Sequence, residues 1–245
     1  MDYFRNIVVL AAIAGAIAGL GMTLAQHFTT VPLILKAETF ENQGAEAPGH
    51  SHAAEAAAPA GEAASAEAAP AAEEEEGWAP EDGFERTAFT AAANIVTGIG
   101  FALLLIAVSE LFGGIRDWRH GVYWGLAAFA VFTLAPGLGL PPELPAMPAA
   151  ELGARQVWWI GTVLAAGVAL WLLFYQRSLI GVVAAFALLV VPHIIGAPQP
   201  ESHASPIPEN LHHSFVVAVV LTTLVYFALL GGLAGYFRDR FIRAS

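Results

Sequence analysis

The sequence predicts an all-α integral membrane protein. It is read as a bundle of about six transmembrane helices, or five on a shorter count, with both termini cytoplasmic. A disordered acidic extracytoplasmic loop rich in His, Ala and Glu interrupts it. Three observations carry this reading. Hydrophobic residues make up 57% of the 245-residue chain and charged residues only 13%, against about 25% charged in an ordinary soluble domain. Several apolar runs of roughly 18 residues or more meet the length needed to cross a bilayer core. The runs are continuous rather than alternating, which argues for helices over the strands of a membrane barrel.

Six apolar segments follow in order, at about 6–26, 88–109, 119–136, 155–175, 178–194 and 213–237. The first resembles a signal peptide, with "TLAQ" (23–26) as a cleavage site. Its apolar stretch is too long for a typical signal core, and Gly15 and Gly19 sit at the small-xxx-small spacing of packed membrane helices. It is read as a membrane helix, residues 1–26. A loop, 27–87, comes next. Its segment 42–77 has no aromatic residue, no β-branched residue and no leucine, and Pro48, Pro59 and Pro70 interrupt its alanines. Such a segment buries too little to offset the entropy of ordering it, so it is expected to be disordered.

Residues 88–245 then form a five-helix bundle with short loops. Asn94 and Thr97 are polar positions on the second helix, expected to bond between helices. Glu110 ends that helix, where hydration is cheap. Gly121/Gly125 and Gly231/Gly235 repeat the close-packing spacing on the third and sixth. In the proline-rich loop before the fourth helix, Glu151 and Arg155 are four apart and read as a helical ion pair. Trp158 and Trp159 read as an interfacial aromatic belt. The fifth segment is the shortest.

The basic residues orient the bundle. With the N-terminus inside, Arg5, Arg116, Arg119, Arg177, Arg238, Arg240 and Arg243 are cytoplasmic, and Lys36, Arg86 and Arg155 lie on the other side. The net charge of −11 comes from one place: residues 27–87 hold 13 acidic and 2 basic residues, and the remainder balances. An acidic segment repels nucleic acid, so no nucleic-acid partner is expected. With no cysteine, disulfides, thiol catalysis, cysteine zinc sites and iron–sulfur clusters are excluded. No phosphate-binding G-x-x-x-x-G-K-[ST] loop or catalytic triad pattern is present, and the chain is not read as an enzyme.

The topology sorts the metal-ligating residue types. His27, His50, His52, His193, His203, His212 and His213 fall on the extracytoplasmic side, and only His120 is cytoplasmic. Seventeen of 21 acidic residues lie outside as well. Imidazole and carboxylate together suit Co²⁺, Ni²⁺, Zn²⁺ and Mn²⁺. The most specific local pattern is "PIPENLHHSF" (206–215), where Glu209 precedes His212 and His213 by three and four residues on a helix start. Capping or chance explains that spacing equally well. His27 ends the first helix and is followed by a stretch, "VPLILKAETFE" (31–41), read as extended and broken by its proline, with Glu38 and Glu41. His193, in "VPHIIGAPQPESH" (191–203), follows Pro192, which loosens the last helical turn. His50 and His52 sit in the disordered loop, where they could hold a metal only loosely. The candidate metal residues are therefore His193, Glu209, His212, His213, His27, His50 and His52.

Several stretches together resemble the CbtA-type cobalt transporter subunit family. They are "VPLILKAETFE", the His/Glu/Ala-rich insert, "EGWAPEDGFERTAFTAAANIVTGIGFALLL" (76–105), "APGLGLPPELPAMPAAELGARQVWW" (135–159) and "PHIIGAPQPE" (192–201). The similarity runs from about residue 4 to 240. It implies a multi-pass protein of the bacterial inner membrane that takes up cobalt for cobalamin synthesis. It also implies a small partner, a CbtB-type subunit with one span and a histidine-bearing terminus. The family is usually described with five spans, one fewer than drawn here. No functional residues are carried over, although "PHIIGAPQPE" matches through His193 and Glu201.

The expected function is thus a membrane subunit of a Co²⁺ uptake transporter, which collects the ion through His and carboxylate ligands and passes it inward. No cofactor is expected to be permanently bound; Co²⁺ is cargo. The bilayer, the divalent ion, the CbtB-type subunit and a second copy of the chain are the expected partners. A non-transporting scaffold or metal-delivery subunit is the alternative, favoured by the scarcity of ionisable groups at mid-membrane. An intramembrane enzyme using an outer-face metal lacks any second catalytic signature.

Overall fold

A computed structural model describes residues 2–45, 80–176 and 178–242. Every regular element among them is helical. Four helices are long and apolar enough to cross a membrane: Tyr3–Phe28, Phe84–Glu110, Leu152–Tyr175 and Glu209–Arg240. They lie within α1 (Asp2–Phe28), α3 (Phe84–Glu110), α6 (Leu152–Tyr175) and α8 (Glu209–Ile242).

The other two predicted segments are helical but less regular. α4 (Trp118–Phe129) runs directly into a π-helical turn, Ala130–Leu134, and then α5 (Ala135–Gly137). Pro136 explains the irregularity, since its ring crowds the carbonyl four residues back and a widened turn relieves it. α7 (Leu179–Ile195) has 17 residues, about 26 Å at helical rise against a hydrocarbon core of about 30 Å.

One expectation needs correction. Residues 31–41 are not extended: they belong to α2 (Val31–Ala45), joined to α1 by a two-residue turn. Pro32 is the second residue of α2, where a missing N–H costs nothing because the first-turn donors have no helical acceptor. The helix then presents Leu33, Ile34, Ala37 and Phe40 on one face, against Leu144, Ile207, Leu211 and Phe215. Residues 42–45 of the segment expected to be disordered are also in α2. The remainder of that loop up to residue 79, with His50 and His52, lies outside the described residues.

Glycine pairs bring the backbones together at two crossings. Gly15 and Gly19 of α1 lie directly against Gly98–Ile99 and Asn94–Ile95 of α3. Gly121 and Gly125 of α4 lie against Gly231 and Phe227 of α8, and Gly235 lies against Asp117. All three predicted glycine pairs therefore do what their spacing implied. Leu10, Ala18, Ala102, Ile106, Phe227 and Leu230 fill the core between these helices. α1 contacts both α3 and α8, while α6 packs on α7 and on the α4–α5 junction. Asn94, as expected, bonds between helices: its amide nitrogen donates to Thr23 Oγ1 at 3.0 Å and Gln26 Oε1 at 2.6 Å.

The start of α1 and the last turns of α8 sit at the same end of the bundle. There Arg238 donates to Glu110 through Nε at 2.7 Å and Nη2 at 3.2 Å, and through Nη1 to the Ile115 carbonyl at 2.7 Å. Tyr3 donates its hydroxyl to Glu110 at 2.8 Å. Glu110 is thus clasped rather than merely hydrated. The opposite end carries α2, the N-termini of α3, α6 and α8, the C-terminus of α7 and the loop 138–151.

Candidate functional site

The histidine-bearing end is built from three helix ends and one loop. α7 closes with His193, after which Gly196 (φ 86°) ends the helix and its N–H donates to the Pro192 carbonyl at 3.1 Å. The same carbonyl accepts from Trp158 Nε1 at 3.1 Å. The Pro192 carbonyl therefore keeps its helical N–H partner and takes the indole as a second donor. The His193 and Trp158 rings meet edge to face with centroids 5.8 Å apart. Trp158 is only 9% exposed, which corrects its placement in an interfacial belt: it is a buried bracket between α6 and α7.

α8 begins after Pro208, whose carbonyl accepts from the N–H groups of Leu211 and His212 at 2.9 and 3.2 Å. Glu209 and His213 are exposed, and His212 is half-buried. His212 Nε2 lies 3.1 Å from the Pro142 carbonyl. A carbonyl only accepts, so Nε2 carries the proton and in the neutral ring Nδ1 keeps the lone pair.

Beside Pro142 stands Glu143, which the sequence reading passed over. Its carboxylate lies 3.0 Å from Arg155 Nη2, with side-chain exposures of 26% for Glu143 and 30% for Arg155. Burial pushes the Glu143 carboxyl above the usual carboxylate range, against the opposing pull of Arg155 and His212. The expected Glu151–Arg155 pair does not form. Glu151 instead caps its own helix, accepting from the N–H groups of Gly153 at 2.8 Å and Ala154 at 2.7 Å. The free N–H groups of a helix start attract a carboxylate more strongly than an exposed i,i+4 arginine does.

Neighbouring residues anchor the Glu143–His212 pair. Leu144 and Leu211 are 3% and 5% exposed in one apolar cluster with Ala37 of α2. The two polar side chains are each held by an adjacent core residue, which limits their movement. No single sequence motif reveals the pair, because Glu143 and His212 are 69 residues apart. The only sequence signal for Glu143 was a carboxylate in a proline-rich loop.

The other candidates are dispersed. His27 is exposed at the end of α1, edge-on to Phe28 with centroids 5.2 Å apart. Glu38 pairs with Arg86, which also bonds Asp82 at 2.8 Å. Glu201 and His203 are exposed in the loop before α8. Among the described residues, no group of three or more His, Asp or Glu side chains is gathered to hold a metal ion. A groove of about 710 Å³ runs between α6 and α7, lined by groups such as Val157, Ala165, Leu188 and Val191. Its apolar walls offer a cation almost no donors, and the Thr162 hydroxyl on that wall is already donated to the Trp158 carbonyl at 2.9 Å.

Comparison with known proteins complements this geometry. The family model described as "Probable cobalt transporter subunit (CbtA)" matches residues 4–239. No curated protein and no solved structure matches the chain. With nearly its whole length matched and four apolar helices of spanning length, the chain belongs to the CbtA family of probable cobalt transporter subunits.

Proposed function

We propose that this chain is a multi-pass subunit that takes up a divalent transition-metal ion, Co²⁺ foremost, at its histidine-bearing end and passes it across the bacterial inner membrane. The carrying observation is that His212 is held on the carbonyl of Pro142, the residue next to Glu143. Imidazole and carboxylate there match the donor preference of such ions. His193, Glu209, His213 and His27 lie at the same end and serve as surrounding capture groups, with His50 and His52 as further ones. We read α7 and the α4–α5 run as crossing the membrane too, giving six crossings with both termini cytoplasmic. The basic-residue distribution supports that orientation. A CbtB-type single-span subunit or a second copy completes the path.

A neutral imidazole binds metal and a protonated one does not, so uptake falls as the pH drops below about 6. The test is Co²⁺ flux into proteoliposomes with and without the partner subunit. His193→Ala and the double change His212→Ala/His213→Ala lower uptake; unchanged transport in both sinks the mechanism.

A second reading is a non-transporting scaffold or delivery subunit. It is favoured by Asn94, a polar group within the spans, whose amide nitrogen is engaged with Thr23 and Gln26. Binding of Co²⁺ without flux in any reconstitution supports that reading.

A further inference from the structure

We propose that Glu143 and His212 form the entry site for the metal ion, with the Pro142 carbonyl orienting the imidazole, and that Arg155 is a tethered cation which the ion displaces from Glu143. This rests on the metal-uptake reading above and names its ligand set. Two donors of different kinds are available at this loop. The Glu143 carboxylate supplies charge. His212 carries a proton on Nε2, which it gives to the Pro142 carbonyl at 3.1 Å, and in the neutral ring its Nδ1 lone pair is the metal donor. The Pro142 carbonyl thereby fixes the tautomer and orients the ring. Imidazole and carboxylate together suit Co²⁺ or Ni²⁺, with water filling the remaining positions.

The site is half-open. Glu143 and Arg155 are 26% and 30% exposed, so an ion reaches them without unfolding the loop. Leu144 and Leu211 fix the backbone on both sides, and Ala146 (φ 64°) and the Leu144 N–H···Sδ contact to Met147 at 3.4 Å shape the loop between. Burial makes an uncompensated Glu143 carboxylate costly, so a positive charge must accompany it. Arg155 supplies that charge in the structure, at 3.0 Å. A divalent ion replaces one positive charge by two at the same oxygens. Because the guanidinium is tethered to α6, it returns when the ion leaves. The exchange keeps Glu143 compensated in both states and weakens the hold on the ion, as cargo requires. An ordinary structural ion pair needs no imidazole at its side.

The acidic insert begins from α2, whose Ala37 packs in the same apolar cluster as Leu144 and Leu211.

The experiment titrates the full-length purified protein in detergent with Co²⁺ alone, by calorimetry and by the visible absorption of the bound ion. Glu143→Gln and His212→Gln each weaken binding by about tenfold or more. Glu143→Asp retains a measurable part of it. Arg155→Gln tightens binding, because the competitor is gone. Thermal unfolding of each metal-free variant is recorded alongside. If Arg155→Gln weakens binding as much as Glu143→Gln, the arginine holds the carboxylate in place and the displacement proposal is overturned. It is also overturned if Glu143→Gln and Glu143→Asp fold and bind as the parent does. Flux surviving with parent-like binding in Glu143→Gln removes this site and leaves the transport reading standing. Co²⁺ binding that follows the predicted variant order without flux supports the site and removes the transport reading.

Discussion

Replacing Gly231 by alanine tests whether the α4–α8 crossing has the closeness the structure gives it. A Cβ built on Gly231 lies 2.7 Å from the Gly125 nitrogen and 2.9 Å from its Cα, and also meets the Gly121 carbonyl oxygen. Carbon atoms rest at about 3.5–4.0 Å, so the two helices must separate by roughly 1 Å at the crossing. No flexible side chain can yield, because every atom it meets is backbone. Overpacking of this kind costs typically about 1–3 kcal/mol, partly offset by a helix-propensity gain of about 0.5–1 kcal/mol for Gly→Ala. The matched control is Gly100→Ala on α3, where a Cβ meets nothing within 4 Å. That change is neutral to mildly stabilising. The expected difference between the two is therefore on the order of 2 kcal/mol. Reversible unfolding in mixed micelles, with denaturing detergent titrated in, measures it. Equal stability for the two variants refutes the close-crossing argument. The consequence reaches function, since α8 carries His212 and the α4–α5 run leads into the loop carrying Glu143.

Three further outcomes are expected. Tyr226 is 7% exposed, and its hydroxyl has no hydrogen-bond partner among the described residues. Tyr226→Phe should therefore raise stability, by about 1 kcal/mol; a fall in melting temperature shows that the hydroxyl is used. Asn94→Leu removes the donors to Thr23 and Gln26 and should lower stability by about 0.6–2 kcal/mol, read in the same micelle assay. Glu143 binds its proton more tightly in the folded chain than in the unfolded one, because burial raises its carboxyl. The metal-free protein should lose that share of stability as the pH rises from about 4.3 through the raised value. Melting curves across that range should show Glu143→Gln with a flatter dependence than the parent.

Much of the fold was legible because its determinants are local. Apolar runs of spanning length and glycines four apart report on one helix at a time, and bilayer thickness and helical rise convert them directly into structure. Pro32 misled because a proline signals a break only inside a helix, and here it occupies the second position of α2. Glu151 misled for a related reason: its spacing to Arg155 was correct, but the bare N–H groups of α6 competed for the carboxylate. At the candidate site, His193 and His212 could be named from helix-end patterns. Glu143 could not, because nothing local distinguishes it from the other carboxylates of a largely acidic face.

By itself, the sequence determined that the chain is helical and apolar enough for a membrane, that three glycine pairs mark close crossings, and that histidine gathers toward one end. The first two follow from residues within a few turns of one another, and the third from the sides that arginine and lysine assign to the loops. Only the tertiary structure decided that Arg155 leaves Glu151 for Glu143, that Trp158 brackets His193 through the Pro192 carbonyl, and that His212 stands beside Pro142. Those pairings depend on how a loop closes over two helix ends. Many weak contacts settle that closure together, and no spacing along the chain encodes it.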